Sequence, residues 1–168
     1  PLLEYIKKKV KKKIICSLGG LELNEINNLI SFFEKKNINY LYCVGIYPSK
    51  PIDQNLSYFD YIKETFKTSE ISGISTHEDT KEDLSGAIGY AKGARIFEKH
   101  VNIQSKYGKN KYSCLPNEIE KWLKNLERAI ILNGSIAERD KNLKKEKSNL
   151  VKFKRGVSLK KNVKKNEI

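Results

Sequence analysis

The chain alternates between two hydrophobic rhythms. Short apolar runs at 13–17, 39–44, 70–76 and 95–103 are each followed by a stretch whose apolar residues return every three or four positions. The first run, Lys13-Ile14-Ile15-Cys16-Ser17, stops at Gly19-Gly20, and Leu23, Ile26, Ile30 and Phe33 then share one face of a helix predicted over 21–36. The second, Asn39-Tyr40-Leu41-Tyr42-Cys43-Val44, ends in a loop bearing Pro48 and Pro51, and a helix over 57–66 follows with Asn55 or Ser57 as its cap. A third strand over 70–76 leads to a helix over 81–92, and Gly93-Ala94 turns the chain into the fourth strand, 95–103. After a polar loop, Pro116-Asn117-Glu118 opens a helix running to about Asn133, with Gly134 as its stop and Ile119, Trp122, Leu123, Leu126, Ile130 and Ile131 as its buried stripe. Residues 1–12 read as the helix that precedes the first strand.

Strict strand–helix alternation with short connections predicts an α/β fold, a parallel sheet covered by helices. Four such units amount to half of an eight-stranded (β/α)8 TIM barrel. In that architecture the chemistry gathers at the C-terminal ends of the strands. Ser17, Tyr47, Ser75, His77, Glu98 and His100 all fall at or just beyond such ends.

The two histidines sharpen this picture. Gly73-Ile74-Ser75-Thr76-His77 and Arg95-Ile96-Phe97-Glu98-Lys99-His100 each close a strand with an imidazole, and the chain has no other histidine. On neighbouring parallel strands their ends lie about 5 Å apart, so one metal ion could take both. Side chains alternate faces, which places Ser75 with His77 and Glu98 with His100, and turns Lys99 the other way into a structural position. Imidazole is a good ligand for manganese, and two protein ligands leave positions for water and substrate. A Glu98 buried in an apolar strand would need a cation beside it.

Composition adds bounds. The chain contains no methionine, and Pro1 opens directly into a helical pattern, so it is expected to be an internal piece of a longer product. Cys16, Cys43 and Cys114 are odd in number and widely spaced, which argues against a disulfide framework or a cysteine zinc site. No leader and no apolar run long enough for a bilayer is present, so a soluble, cytoplasmic protein that does not engage a membrane is expected. Of the net charge of +13, +9 lies between Arg139 and Ile168. That tail lacks interleaved aromatics and a recognisable reading helix, so a solvated linker is expected rather than a nucleic-acid partner.

Five segments, in order, resemble the sialic acid synthase family, that is N-acetylneuraminate synthase and the related spore-coat polysaccharide synthases. Pro1-Leu2-Leu3 with Ile15-Cys16-Ser17-Leu18-Gly19-Gly20 resembles the stretch ending in a Ser-Thr-Gly turn. Tyr42-Cys43-Val44-Gly45-Ile46-Tyr47-Pro48 is similar to His-Cys-x-x-x-Tyr-Pro. Gly73-Ile74-Ser75-Thr76-His77 is similar to Gly-x-Ser-Asp-His, and Phe97-Glu98-Lys99-His100 to Glu-Lys-His. Phe153-Lys154-Arg155-Gly156-Val157 with Lys160-Lys161-Asn162-Val163-Lys164-Lys165 resembles the entry to the family's antifreeze-like domain. The resemblance implies that residues 1–134 are the last four strand–helix units of the barrel, 135–152 a linker and 153–168 the start of that second domain.

It also implies a reaction. The family condenses phosphoenolpyruvate with an N-acylated amino sugar to give a sialic acid and phosphate, assisted by a divalent metal, Mn2+ or Mg2+. On this resemblance His77 and His100 ligate the metal, Glu98 assists proton transfer or holds metal-bound water, Ser17 and Ser75 hold the phosphate or carboxylate of phosphoenolpyruvate, and Tyr47 lines the sugar pocket. A domain-swapped homodimer is implied for the full-length protein. Two departures stand out: Gly45 replaces a substrate-binding Asn, and Thr76 replaces the Asp of the Ser-Asp-His motif. They support an alternative, a non-catalytic or degenerate homologue that keeps the fold. The loop 103–113 lacks the Pro-Gly-Pro-Asp segment of sialic acid synthases and is closer to the Lys-Tyr-x-x-Asn-x-Tyr-Ser version of the spore-coat branch.

Overall fold

A computed structural model describes residues 1–103, 108, 110–156 and 159–166. In chain order the elements are α1 (Leu2–Lys9), β1 (Ile14–Ser17), α2 (Leu23–Phe32), β2 (Ile38–Cys43), α3 (Pro51–Gln54), α4 (Ser57–Phe66), β3 (Ile71–Thr76), α5 (Ser85–Ala91), β4 (Ile96–Lys99), α6 (Pro116–Asn133) and α7 (Ile136–Val151). The four strands form one sheet in the order β1-β2-β3-β4, and every neighbouring pair is parallel. The architecture is a half-barrel of strand–helix units.

The core lies on the helix-covered face of the sheet. Ile38, Tyr40 and Tyr42 project from alternate positions of β2 into one buried cluster with Ile26 and Phe33, Phe59 and Ile62, and Ile71 and Ile74 of β3. Period-two alternation of the strand and the helical spacing of α2 and α4 thus converge on one layer. Tyr42 keeps its hydroxyl satisfied by donating to the Gln54 carbonyl at 2.9 Å. Close approach of neighbouring strands is possible at Gly73, where a Cβ would lie 2.5 Å from the Ile96 carbonyl oxygen.

Several boundaries differ from the sequence reading, each for a local reason. The helix expected from residue 81 begins at Ser85, because Asp79 first builds a turn whose carboxylate accepts the Lys81 amide at 3.0 Å while its carbonyl accepts the Glu82 amide at 2.8 Å. The fourth strand ends at Lys99 rather than 103, since beyond it the chain pairs with a returning loop: the His100 carbonyl accepts the Cys114 amide at 2.8 Å. Neither Asn55 nor Ser57 caps α4; Leu56 occupies the cap without a side-chain bond, and Asn55 adopts a left-handed conformation at the end of the unexpected short α3.

The stripe expected on α6 is only partly buried. Trp122 and Leu126 are buried, whereas Leu123, Ile130 and Ile131 are 45%, 42% and 77% exposed. The support beneath is short: α5, whose Ser85 holds Trp122, has seven residues against eighteen in α6, or about 10 Å against about 27 Å of helix. The later turns of α6 therefore overrun it.

The chain divides into two compact units, Pro1–Asn133 and Gly134–Ile168. The second contains α7, which is capped by the Ser135 hydroxyl accepting the Glu138 amide at 3.2 Å and buries no residue. A helix thus occupies most of the stretch read as a linker. Val157, within the segment compared with the antifreeze-like domain, lies outside the described residues. Among the described residues no helix is long and apolar enough to cross a membrane.

Candidate active site

The ends of β3 and β4 bring the two histidines together. Because Ser75 pairs with Glu98 and Thr76 with Lys99 in a parallel register, the next residues of both strands emerge side by side, and the imidazole centroids stand 5.1 Å apart. Ser75 and Glu98 share their face, with the serine hydroxyl donating to the Glu98 carboxylate at 3.4 Å. Tyr47, from the loop after β2, lays its ring 4.1 Å from that of His77 and 6.1 Å from that of His100. Its peptide bond to Pro48 is cis.

The environment of His77 defines its protonation. The ring is 2% exposed, and burial pushes its pKa below the ordinary histidine value; the nearby His100 and Lys99 push in the same direction, outweighing the opposing bond to Val44 and the Glu98 charge. The Val44 carbonyl, 3.1 Å from Nδ1, can only accept. Nδ1 therefore carries the proton, and Nε2 is left with its lone pair, the arrangement expected of an oriented metal ligand. Tyr47 has its phenol pKa raised by lost hydration first, then by Cys43, Glu98 and Tyr112.

The donor set is chemically suited to a divalent ion: two imidazoles with ring centroids 5.1 Å apart, that of His77 oriented by the Val44 carbonyl. No group of three or more His, Cys, Asp or Glu side chains able to hold a metal occurs among the described residues, so the remaining coordination positions would fall to water or substrate oxygen, as suits a catalytic rather than a closed structural site.

The other expected residues are less uniform. Glu98 is exposed on the open inner face of the sheet rather than buried, so the expectation that it needs a cation to offset burial does not hold. Ser17, at the end of β1, uses its hydroxyl to accept the Gly19 amide at 3.3 Å and so shapes the following turn. Thr76 is 3% exposed and faces away from the histidines, its hydroxyl 3.5 Å from that of Ser85; its departure from the motif therefore leaves the face bearing the histidines unchanged. Gly45 has open space where a side chain would project.

Three features escaped the sequence reading. Tyr112 packs edge-on against His100 and Tyr47, with centroids 5.2 Å away in both cases. Its position depends on the return of a loop whose residues 104–107 and 109, Tyr107 among them, lie outside the described residues. Cys43 brings its Sγ within 4.0 Å of His77 Nδ1, a proximity signalled only by its inward parity on β2. Behind the histidines, Glu78 and Lys99 form an ion pair.

Four parallel strand–helix units with paired imidazoles at their strand ends define the class of the protein as an α/β half-barrel of the TIM type, with the candidate site at its C-terminal rim. The NeuB family profile matches residues 1–138, and the chain belongs to the NeuB family. Among solved structures, a protein assigned to spore coat polysaccharide biosynthesis, protein E from Chromobacterium violaceum, is similar at 30% identity and a TM-score of 0.74, over 81% of this chain and 41% of that one. The N-acetylneuraminic acid synthetase of Leptospira borgpetersenii serovar Hardjo-bovis, solved with citrate, is similar at 27% identity and a TM-score of 0.69, over 91% and 54%. A spore coat polysaccharide biosynthesis protein from Bacillus subtilis shares the fold at 21% identity and a TM-score of 0.66, over 87% and 38%. The chain thus spans about half or less of the length of these proteins. No functionally curated protein matches it in sequence.

Proposed function

We propose that this chain carries the C-terminal barrel half of a synthase that joins phosphoenolpyruvate to an N-acylated amino sugar, giving a sialic acid or related nonulosonic acid and inorganic phosphate. The observation that carries the reading is the convergence of His77 and His100, 5.1 Å apart, with Ser75, Glu98 and Tyr47 at one rim of a NeuB-family barrel. His77 and His100 would hold a manganese or magnesium ion, which when bound supplies a Lewis acid for the sugar's aldehyde oxygen.

The chain's own side chains divide the remaining work. His77 presents an unprotonated Nε2 because Val44 fixes the proton on Nδ1. Glu98, exposed and hydrogen-bonded by Ser75, would exchange a proton with the sugar as its aldehyde oxygen becomes a hydroxyl. Ser17 and Ser75 would donate to the phosphate or carboxylate of phosphoenolpyruvate; small hydroxyls approach an anion without adding repulsive charge. Tyr47, with Tyr112 beside it, forms an aromatic wall against which a sugar ring can rest. In the full-length protein, residues 153–168 would lead into an antifreeze-like domain that covers the site of a second copy in a domain-swapped homodimer.

Manganese calorimetry on the full-length protein with phosphoenolpyruvate present tests the reading, wild type beside His77→Ala and His100→Ala. Both substitutions should abolish binding. Binding that survives both would overturn the metal assignment and favour the degenerate homologue, for which Gly45 speaks.

A further inference from the structure

The side chains immediately next to the two histidines point the other way and meet. Glu78 follows His77 and Lys99 precedes His100; their side chains are 1% and 4% exposed, with Nζ 2.8 Å from Oε1. The contact is poorly optimised for stability. Lys99 Nζ makes an ion contact with Glu78 Oε1, and neither Lys99 Nζ nor Glu78 Oε2 has a hydrogen-bond partner among the described residues. A buried pair that leaves donors and acceptors unfilled does not repay its desolvation.

The surroundings show what it holds. Ser85, in the first turn of α5, donates its hydroxyl to Glu78 Oε1 at 2.5 Å, and Trp122 of α6 donates its indole N–H to Ser85 Oγ at 3.0 Å. The backbone of Ser49, two residues after Tyr47, bridges to Glu78, with the Ser49 amide donating to the His77 carbonyl at 3.0 Å. One polar chain therefore runs from α6 through α5 to Glu78 and across to Lys99, and it joins the three segments that carry Tyr47, His77 and His100.

We propose that Glu78 and Lys99 are positioning residues: their ion pair, on the helix-facing side of the sheet, ties the end of β3 to the end of β4 and sets the separation of the His77 and His100 rings on the opposite side. The inference rests on the reading of those histidines as a metal pair only for its consequence, since the ring separation can be followed without adding metal.

The test replaces both charges in the full-length protein, as Glu78→Gln with Lys99→Met, and compares the single substitutions. The singles leave one buried charge unpaired and should lower stability, whereas the double variant should recover a melting temperature close to wild type. In the metal-free double variant the imidazole Cε1–H NMR signals of His77 and His100, assigned with His77→Asn and His100→Asn, should both move, because the rings shift relative to each other and to Tyr47. Manganese alone, titrated by calorimetry, should bind at least tenfold more weakly. A double variant as stable as wild type, with both signals unmoved, overturns the proposal and leaves the pair a structural contact. If the signals move but wild type binds no manganese, the positioning role stands and the metal reading fails.

Discussion

A buried imidazole whose Nδ1 proton is committed to the Val44 carbonyl has a defined response to acid. The folded-state pKa of His77 is depressed, chiefly by burial, so between that value and the unfolded value near 6.5 the unfolded chain binds the proton more readily. Stability contributed by the neutral ring is complete above the unfolded pKa and is lost as pH falls below it. In metal-free buffer the urea midpoint should therefore fall between pH 7.5 and pH 5, and His77→Asn should flatten that part of the profile. An unchanged slope in the variant would remove His77 as the source. Manganese binding should weaken over the same interval, because Nε2 must be free of a proton to ligate.

At the scale of elements, the seating of α5 depends on absent side chains. A Cβ at Gly86 would lie 2.4 Å from the Trp122 ring, and one at Gly73 would meet the Ile96 carbonyl of the neighbouring strand. Neither the buried indole, held by Ser85, nor a ladder carbonyl can yield freely. Gly86→Ala and Gly73→Ala should each cost about 1–3 kcal/mol of stability by overpacking, measured by chemical denaturation. Wild-type stability in both would show that α5 and β4 are held less tightly than the contacts imply.

The same elements show what the sequence reveals. Each strand was legible because its apolar run is bounded by glycine or polar turns, and the juxtaposition of His77 with His100 and of Ser75 with Glu98 followed from strand parity alone. The true start of α5 was hidden because Asp79 diverts Lys81 and Glu82 into a turn that helical periodicity does not register. Burial on α6 was overread because a hydrophobic stripe reports a willingness to be covered, not the length of what covers it. The Glu78 and Lys99 pair has no periodic signature, since one partner sits in a loop. Tyr112 reaches the histidines through the pairing of Cys114 with His100, a tertiary contact that strand parity does not register.

At the scale of the molecule, the inner face of the sheet matters most. Parallel sheets are usually covered on both faces, yet here Ile15 is 55% exposed, and within the described sheet β1 and β4 each pair along one edge only. Unpaired edges and bare apolar surface favour association, while the net charge of +13 opposes it. Salt decides between them: raising ionic strength shortens the range of the repulsion to about 3 Å at 1 M and leaves apolar burial intact. Residues 1–168 expressed alone should therefore sediment as larger species whose share grows from low to high salt. A single monomer at every salt concentration would mean that the open face is stable in water, and that the site at its rim needs no covering surface to persist.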